Sequence, residues 1–179
     1  MAFELAFRPL SQEHTAHLPA FNCGRKNLNS FLVEDAPGFH DHGLTSTTLV
    51  FVQDDPTIAG YFSLSSDAVR LSAFETGELG LPFHTEIRFF PAVKITRFAI
   101  SEKYQRKGLG LQLIDAIEGL VYADGSSSVA TRLLTVDAIN ERDVLDFYRK
   151  ARFEACLEAG RAAQGRDRET ILMFKDIYA

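Results

Sequence analysis

The chain has no tryptophan and only two cysteines. Cys23 and Cys156 are too few for a disulfide scaffold and fit no C-x-x-C spacing, so they read as free thiols in a reducing cytoplasm. No apolar run approaches the roughly 18 to 20 residues of a membrane span, so no membrane partner is expected. Met1-Ala2-Phe3-Glu4 lacks a basic region followed by an apolar stretch, so no signal peptide is read there. Repeats, low-complexity tracts and a dividing linker are also missing. Residues 1–179 therefore read as one domain with a sizeable core. Clustered metal ligands are scarce: the lone His40-Asp41-His42 reads as solvated loop surface, and no metal is expected.

Positive charge is scarce in one half only. Residues 1–90 carry 5 Lys+Arg against 11 Asp+Glu, and residues 91–179 carry 14 against 13. The net charge of -5 argues against a strong nucleic-acid footprint. The less acidic half suits a polyanionic ligand.

That half contains Gln105-Arg106-Lys107-Gly108-Leu109-Gly110, between a β-like run, Ala92 to Ile100, and a helix-like run, Leu111 to Tyr122. A glycine turn that opens a helix directly after a strand offers unpaired amides and a favourable dipole to an anion. Gly108 and Gly110 let backbone approach a bulky ligand, and Arg106 and Lys107 add charge. Taken alone, G-x-G also fits a plain strand-to-helix turn. Two phosphate motifs are excluded. No Lys-Ser or Lys-Thr follows the glycines as a P-loop requires, and Leu113 stands where the dinucleotide fingerprint needs Gly or Ala.

The remaining elements follow from periodicity and breakers. Phe3 to Phe7 predicts a short strand, and Asn27 to Glu34 a helix ended by Pro37-Gly38. Thr47 to Gln53 and Ile58 to Ser65 predict an antiparallel hairpin turned at Asp54 to Thr57. Asp67 to Phe90 reads as a long irregular loop of the kind that often carries function. Leu113, Ile114, Ile117, Leu120 and Val121 give the helix after the glycines one apolar face. Gly125 to Ser128 reads as a turn, and Leu133 to Val136 as a buried strand. Asn140 reads as the cap of a helix whose face is Val144, Phe147, Tyr148 and Ala151. Glu169 to Phe174 is the last strand, and Gly160 to Arg168 a polar connection in a closing hairpin.

The pattern Q-x-x-G-x-G at Gln105 to Gly110 resembles the acyl-CoA signature of the GNAT superfamily of N-acetyltransferases. Asn140 and Phe147-Tyr148-Arg149-Lys150-Ala151-Arg152-Phe153 resemble its later asparagine and F-Y-x-x-x-G-F ending, with Arg152 in place of the usual glycine. The resemblance covers roughly Phe51 to Phe174. It implies an α/β (α+β) fold: a central twisted, mixed, mostly antiparallel sheet of about six to seven strands, splayed at the acyl-CoA site and flanked by helices. It implies acetyl-CoA as donor. The pantetheine arm would pair with the strand edge at Phe98, Ala99 and Ile100 and with Asn140. The pyrophosphate would sit on Gln105, Arg106, Lys107, Gly108, Leu109 and Gly110. Tyr148 would be the general acid that protonates the leaving thiolate.

No general base stands out. Glu75, Glu78, His84 and Glu86 lie in the irregular loop, as substrate-facing or as plain surface groups. A lysine amine near pKa 10.4 is neutral about one part in a thousand at pH 7, a penalty of roughly 4 to 5 kcal/mol. An α-amino group near about 7.7 to 8 needs only about 1 kcal/mol. The missing base therefore favours an acceptor of low pKa.

Phe21-Asn22-Cys23-Gly24, Leu28-Asn29-Ser30-Phe31-Leu32, Gly60-Tyr61-Phe62-Ser63-Leu64 and Arg97-Phe98-Ala99-Ile100 resemble stretches of TacT-like toxins within the superfamily. Those proteins acetylate the α-amino group of aminoacyl-tRNA and pair with an antitoxin. The basic stripe available for tRNA is Arg149, Lys150, Arg152, Arg161, Arg166 and Arg168, interrupted by Glu154, Glu158 and Asp167. Three readings stay open: an N-acetyltransferase of an unidentified primary amine, a tRNA-acetylating toxin with an antitoxin partner, and a non-catalytic acyl-CoA sensor. The resemblance also implies a homodimer, for which the sequence shows no dedicated surface.

Overall fold

Apolar runs bounded by turn residues become the strands of this chain, a computed structural model of which describes residues 2–125, 129–164 and 167–179. The strands are β1 (Leu5–Pro9), β2 (Ser46–Val52), β3 (Ile58–Arg70), β4 (Phe89–Ile100), β5 (Leu133–Ile139), β6 (Glu154–Ala155) and β7 (Thr170–Asp176). They form a seven-stranded, mixed, mostly antiparallel sheet of order β1-β2-β3-β4-β5-β7-β6. The helices are α1 (Lys26–Ser30), α2 (Ala36–Asp41), α3 (Ala73–Glu78), α4 (Leu109–Gly125), α5 (Arg142–Lys150) and α6 (Leu157–Ala162). The chain groups into two compact units, interleaved in sequence: residues up to Ser65 with Ile95–Leu113, and Ser66–Lys94 with Ile114–Ala179.

In the first unit β1 pairs antiparallel with β2, from Leu5↔Val52 to Pro9↔Thr48. β2 pairs antiparallel with β3, with a register shift between Val50 and Phe51. Ser101 donates its amide to Ala59 O at 2.9 Å, and Thr96 Oγ1 donates to Ser63 O at 3.1 Å. Gly60 is required by this approach: a Cβ there would stand 2.7 Å from Ala99 O. Leu18, Phe21, Phe31, Leu32, Leu49 and Tyr61 build the core beneath. Tyr61 is fully buried, and its hydroxyl donates to Leu28 O at 2.8 Å, so an interior phenol keeps a partner.

One expectation fails in this unit. The helix was to end at Pro37-Gly38, yet helical structure continues to Asp41. Phe31–Asp35 widens to a π-helical turn, and Ala36 donates to Phe31 O. Pro37 then falls in the first turn of the resumed helix, where a missing N–H leaves no gap in the ladder. Gln12–Ala20 also forms a 3-10 segment that no periodicity announced.

In the second unit β4 and β5 run parallel at Ala92↔Leu133 to Lys94↔Thr135. β5 pairs antiparallel with β7 along its whole length, and β6 closes on β7 at Glu154↔Phe174 and Ala155↔Met173. The closing hairpin is therefore present, with α6 in its connection. Val69, Leu71, Phe90, Leu133, Cys156 and Phe174 share a core. On α4, Leu113, Ile114, Ile117 and Val121 are buried as expected, but Leu120 is 45% exposed and leaves the apolar face.

The expected loop from Asp67 to Phe90 is largely structured. β3 runs on to Arg70, and α3 starts at a capping box in which Ser72 accepts from the Glu75 amide. The expected turn at Gly125 to Ser128 falls mostly on residues 126–128, and part of the Gly160 to Arg168 connection on residues 165–166, outside the described residues.

Candidate active site

The glycine turn joins β4 to the long helix α4 in the first unit. α4 opens at Leu109, two residues earlier than its apolar pattern suggested. Gly108 holds φ +89, a left-handed conformation that glycine adopts without strain, and a Cβ added there would meet no atom within 4 Å. Arg106 is left-handed too, at φ 60, which is unusual for a residue with a side chain. Gln112 donates its amide to Gly108 O at 3.3 Å, so the ladder starts there and the amides just before Gln112 belong to the unpaired first turn. Arg106 and Lys107 are exposed and form no ion pair among the described residues.

The four residues before the turn are all tied down. Glu102 donates its amide to Asn22 O at 3.0 Å and accepts from Asn22 Nδ2 at 2.9 Å. Lys103 Nζ donates to Asp55 Oδ2 at 2.6 Å, and the Tyr104 hydroxyl donates to the same oxygen. Gln105 Nε2 donates to Cys23 O and to Ile100 O, each at 2.8 Å. The Gln105 amide donates to Ser101 O at 3.1 Å, so it is engaged before any ligand arrives. Asp55 also accepts from Thr57. The Lys103 ammonium first, and then Tyr104 and Thr57, hold its carboxyl well below the usual carboxylate range.

Phe98, Ala99 and Ile100 end β4. Ala99 is buried, and its carbonyl faces Gly60 on β3. Backbone groups alternate along a strand, so Phe98 and Ile100 present theirs to the other edge. Ile100 O is already engaged by Gln105.

Tyr148 and Asn140 belong to the second unit. Tyr148 lies on α5 with 6% exposure, between the rings of Phe147 and Phe153 at 5.1 and 5.5 Å. Burial pushes its phenol up from the ordinary value, so the hydroxyl is protonated at any physiological pH. The helix stops in a Schellman turn: Arg152 donates to Arg149 O and Phe153 to Tyr148 O, each at 2.9 Å. Asn140 is not the helix cap. Glu141 holds that position, and Asn140 Nδ2 donates to Arg168 O at 3.0 Å. The Asn140 amide donates to Glu169 O, so this residue closes the ends of β5 and β7 instead.

The loop candidates divide. Glu75 is 4% exposed and is a structural anchor: Oε2 accepts from the Ser72 amide at 2.8 Å and Oε1 from the Leu157 amide at 2.6 Å. Burial pushes its carboxyl up, but the donors on Ser72, Leu157 and Glu158 outweigh that and leave it lowered, the wrong direction for a general base. His84 and Glu86 line a cavity of about 520 Å³ with Arg70, Phe83, Arg88 and Arg161. Glu78 is exposed and lines neither this cavity nor a smaller one of about 240 Å³ beside Asp67 and Asp137. The basic stripe is partly neutralised: Arg149 pairs with Asp146 at 2.8 Å and Arg152 with Glu118 at 3.6 Å. Arg166 lies outside the described residues.

His40 Nδ1 accepts from the Thr47 amide at 3.0 Å, and His42 Nδ1 lies 2.8 Å from Gly38 O, so both rings serve local backbone. Among the described residues no three or more His, Cys, Asp or Glu side chains gather as metal ligands would, and no helix is long and apolar enough to cross a membrane.

A mixed sheet with a left-handed glycine turn opening a long helix after β4 is the framework of an acyltransferase. The chain belongs to the acetyltransferase (GNAT) family, whose model matches residues 19–153. Its fold is similar to solved toxins. A tyrosine-to-phenylalanine mutant of the toxin AtaT, bound to the C-terminus of the antitoxin AtaR and acetyl-CoA, is 19% identical, with 97% of this chain and 94% of that one covered and a TM-score of 0.71. A mutant of KacT is 21% identical, with coverages of 97% and 95% and a TM-score of 0.76. AtaT complexed with acetyl-methionyl-tRNAfMet is 18% identical, covers 94% of each chain and has a TM-score of 0.72.

The residues tying the turn down were not singled out for that role. Asn22 and Cys23 belong to a family-like stretch, with Cys23 also read as a free thiol, and Asp55 belongs to a hairpin turn. No local spacing connects either to residues 102–105.

Proposed function

We propose that this protein is an N-acetyltransferase, one domain spanning residues 1–179, that moves the acetyl group of acetyl-CoA onto a primary amine by direct attack in a ternary complex. The observation that carries this reading is the turn: Gly108 left-handed over open space, first-turn amides of a long helix, and two cations without an ionic partner among the described residues. Arg106, Lys107, Gly108, Leu109 and Gly110 would hold the pyrophosphate, with Gln105 shaping the turn rather than donating its amide. Phe98 and the amide of Ile100, whose carbonyl already accepts from Gln105, would offer backbone to the pantetheine arm, as an added strand does. Asn140 keeps its Oδ1 for a pantetheine amide, since no donor reaches it among the described residues.

Acetyl-CoA supplies an activated acyl carbon and a thiolate leaving group. The amine nitrogen bonds to that carbon as the carbon–sulfur bond breaks. Tyr148 gives its proton to the departing sulfur, and the proton that the attacking nitrogen sheds as it becomes an amide returns to Tyr148 through solvent. The phenol carries its proton at working pH and so has one to give, although burial, by raising its pKa, makes it a weaker donor than an exposed tyrosine.

A second reading is that the acceptor is the α-amino group of aminoacyl-tRNA and that an antitoxin binds the protein. Similarity over nearly the whole chain to AtaT with acetyl-methionyl-tRNAfMet favours it. The net charge of -5 and the paired arginines of α5 weigh against broad contact with RNA phosphates. Thiol release from acetyl-CoA, measured across small amines, peptides and charged tRNAs, separates the readings. Release with amines or peptides supports the first reading, and release with charged tRNA alone selects the second. Tight CoA binding with no release from any acceptor would leave a sensor and overturn both.

A further inference from the structure

The four residues that precede the glycine turn have their side chains bound to two separate parts of the first unit. On one side stands the loop Asn22-Cys23-Gly24. Asn22 holds both the backbone and the carboxylate of Glu102, and Cys23 O takes one of the two hydrogen bonds from Gln105 Nε2. The loop is itself fixed. Asn22 Oδ1 accepts from the Gly24 amide and from Asn29 Nδ2, both at 2.9 Å, and Asn29 Oδ1 accepts from the Cys23 amide at 3.0 Å. Gly24 is left-handed at φ +79, a conformation glycine adopts without strain, and a Cβ on it would stand 2.9 Å from Glu102 Oε1, so the loop lies close against this carboxylate.

On the other side stands the β2–β3 turn. Asp55 Oδ1 is satisfied by Thr57, which leaves Oδ2 for Lys103 and the Tyr104 hydroxyl. The Tyr104 ring is buried against Ala59 and Leu109, the first residue of α4. Both ties act on residues 102–105, immediately ahead of Arg106 and Gly108, whose left-handed backbones aim the amides of the turn.

We propose that Asn22, Asp55, Glu102, Tyr104 and Gln105 are positioning residues for the acyl donor: without touching it, they set the backbone of Arg106–Gly110 in the conformation that grips the pyrophosphate. The inference rests on the donor reading of that turn. It assigns Gln105, the first residue of the Q-x-x-G-x-G pattern, a role as strut. It also gives Asn22-Cys23-Gly24 a place in donor affinity, although this loop lies more than seventy positions away in the sequence.

The test is calorimetric binding of two probes, CoA and pantetheine, the second lacking the pyrophosphate and nucleoside. The variants are Tyr104→Phe, which removes a single hydroxyl, Glu102→Ala, and Glu102→Gln, which keeps an acceptor for Asn22. Thermal melts verify folding. Tyr104→Phe and Glu102→Ala are expected to weaken CoA about five- to tenfold, as loss of a charge-assisted hydrogen bond does, with pantetheine unchanged. Glu102→Gln is expected to restore CoA binding. Equal weakening of both probes would reduce these residues to general scaffolding and overturn the proposal, as would CoA binding unchanged in both variants. If the wild-type chain binds pantetheine as tightly as CoA, the donor reading of the turn itself fails.

Discussion

Phe153 meets Tyr148 twice: its amide donates to the Tyr148 carbonyl at 2.9 Å, and its ring stands edge-on to the tyrosine ring at 5.5 Å. The hydrogen bond is the outer bond of a Schellman turn, and the ring contact is the apolar contact that accompanies such turns. Between them Arg152 occupies the left-handed position at φ 67. The spacing of Tyr148 and Phe153 is therefore a helix-ending device that seats the proposed acid.

Replacing Arg152 by glycine should stabilise the protein. An L-residue in the left-handed region costs about 1 kcal/mol or more relative to glycine. The exposed pair with Glu118 contributes only a few tenths, roughly 0.2 to 0.5 kcal/mol. A net gain of about 0.5 to 1 kcal/mol in urea unfolding, at unchanged m value, is expected. A loss of stability would mean that the arginine contributes more through Glu118 than its backbone strain takes away.

Tyr148→Phe should separate chemistry from binding. The substitution keeps the ring contacts with Phe147 and Phe153 and removes only the proton. Turnover with a competent acceptor is expected to fall by about a hundredfold or more, within the range of general acids, while CoA affinity stays within about twofold. Unchanged turnover would remove Tyr148 from the reaction.

Glu75 predicts an acid-sensitive second unit. Its folded pKa lies below its unfolded value, so its contribution is present in full above the unfolded pKa, about 4.3, and is lost as pH falls through the folded one. Urea midpoints between pH 7 and pH 3 should fall more steeply for the wild type than for Glu75→Gln. Glu75→Gln should itself cost about 1 to 3 kcal/mol at pH 7, because the Ser72 and Leu157 amides lose a charged acceptor. Parallel pH profiles for the two proteins would refute the anchor role.

Gly60→Ala places a methyl 2.7 Å from Ala99 O, a backbone atom that cannot swing aside. The strands must part locally, and a loss of about 1 to 3 kcal/mol is expected by thermal or urea unfolding. Wild-type stability in this variant would mean that β3 and β4 have slack at this point.

What the sequence revealed follows from range. Strands such as β2, β4 and β5 were legible because apolar β-branched runs lie between turn residues. Gln105 to Gly110 was legible because a helix-opening turn is written in adjacent residues. Pro37 misled because a π turn one helical turn upstream absorbs its missing N–H, and nothing local signals that. The two-residue β6 is too short for any period, and it exists only through β7. The Ser72-x-x-Glu75 box is a local capping signal, but the glycines and proline around it give the stretch the look of a loop. The ties from Asp55 to Lys103 and Tyr104, and from Cys23 O to Gln105, join residues 48 to 82 positions apart, which no spacing rule reaches.

Asp55 has one more consequence. Its Oδ2 serves two successive residues, Lys103 and Tyr104, so a single carboxylate joins the β2–β3 turn to the segment that leads into α4. Because the Lys103 ammonium, first among its donors, holds this carboxyl well below the usual carboxylate range, the joint keeps its charge through mild acid.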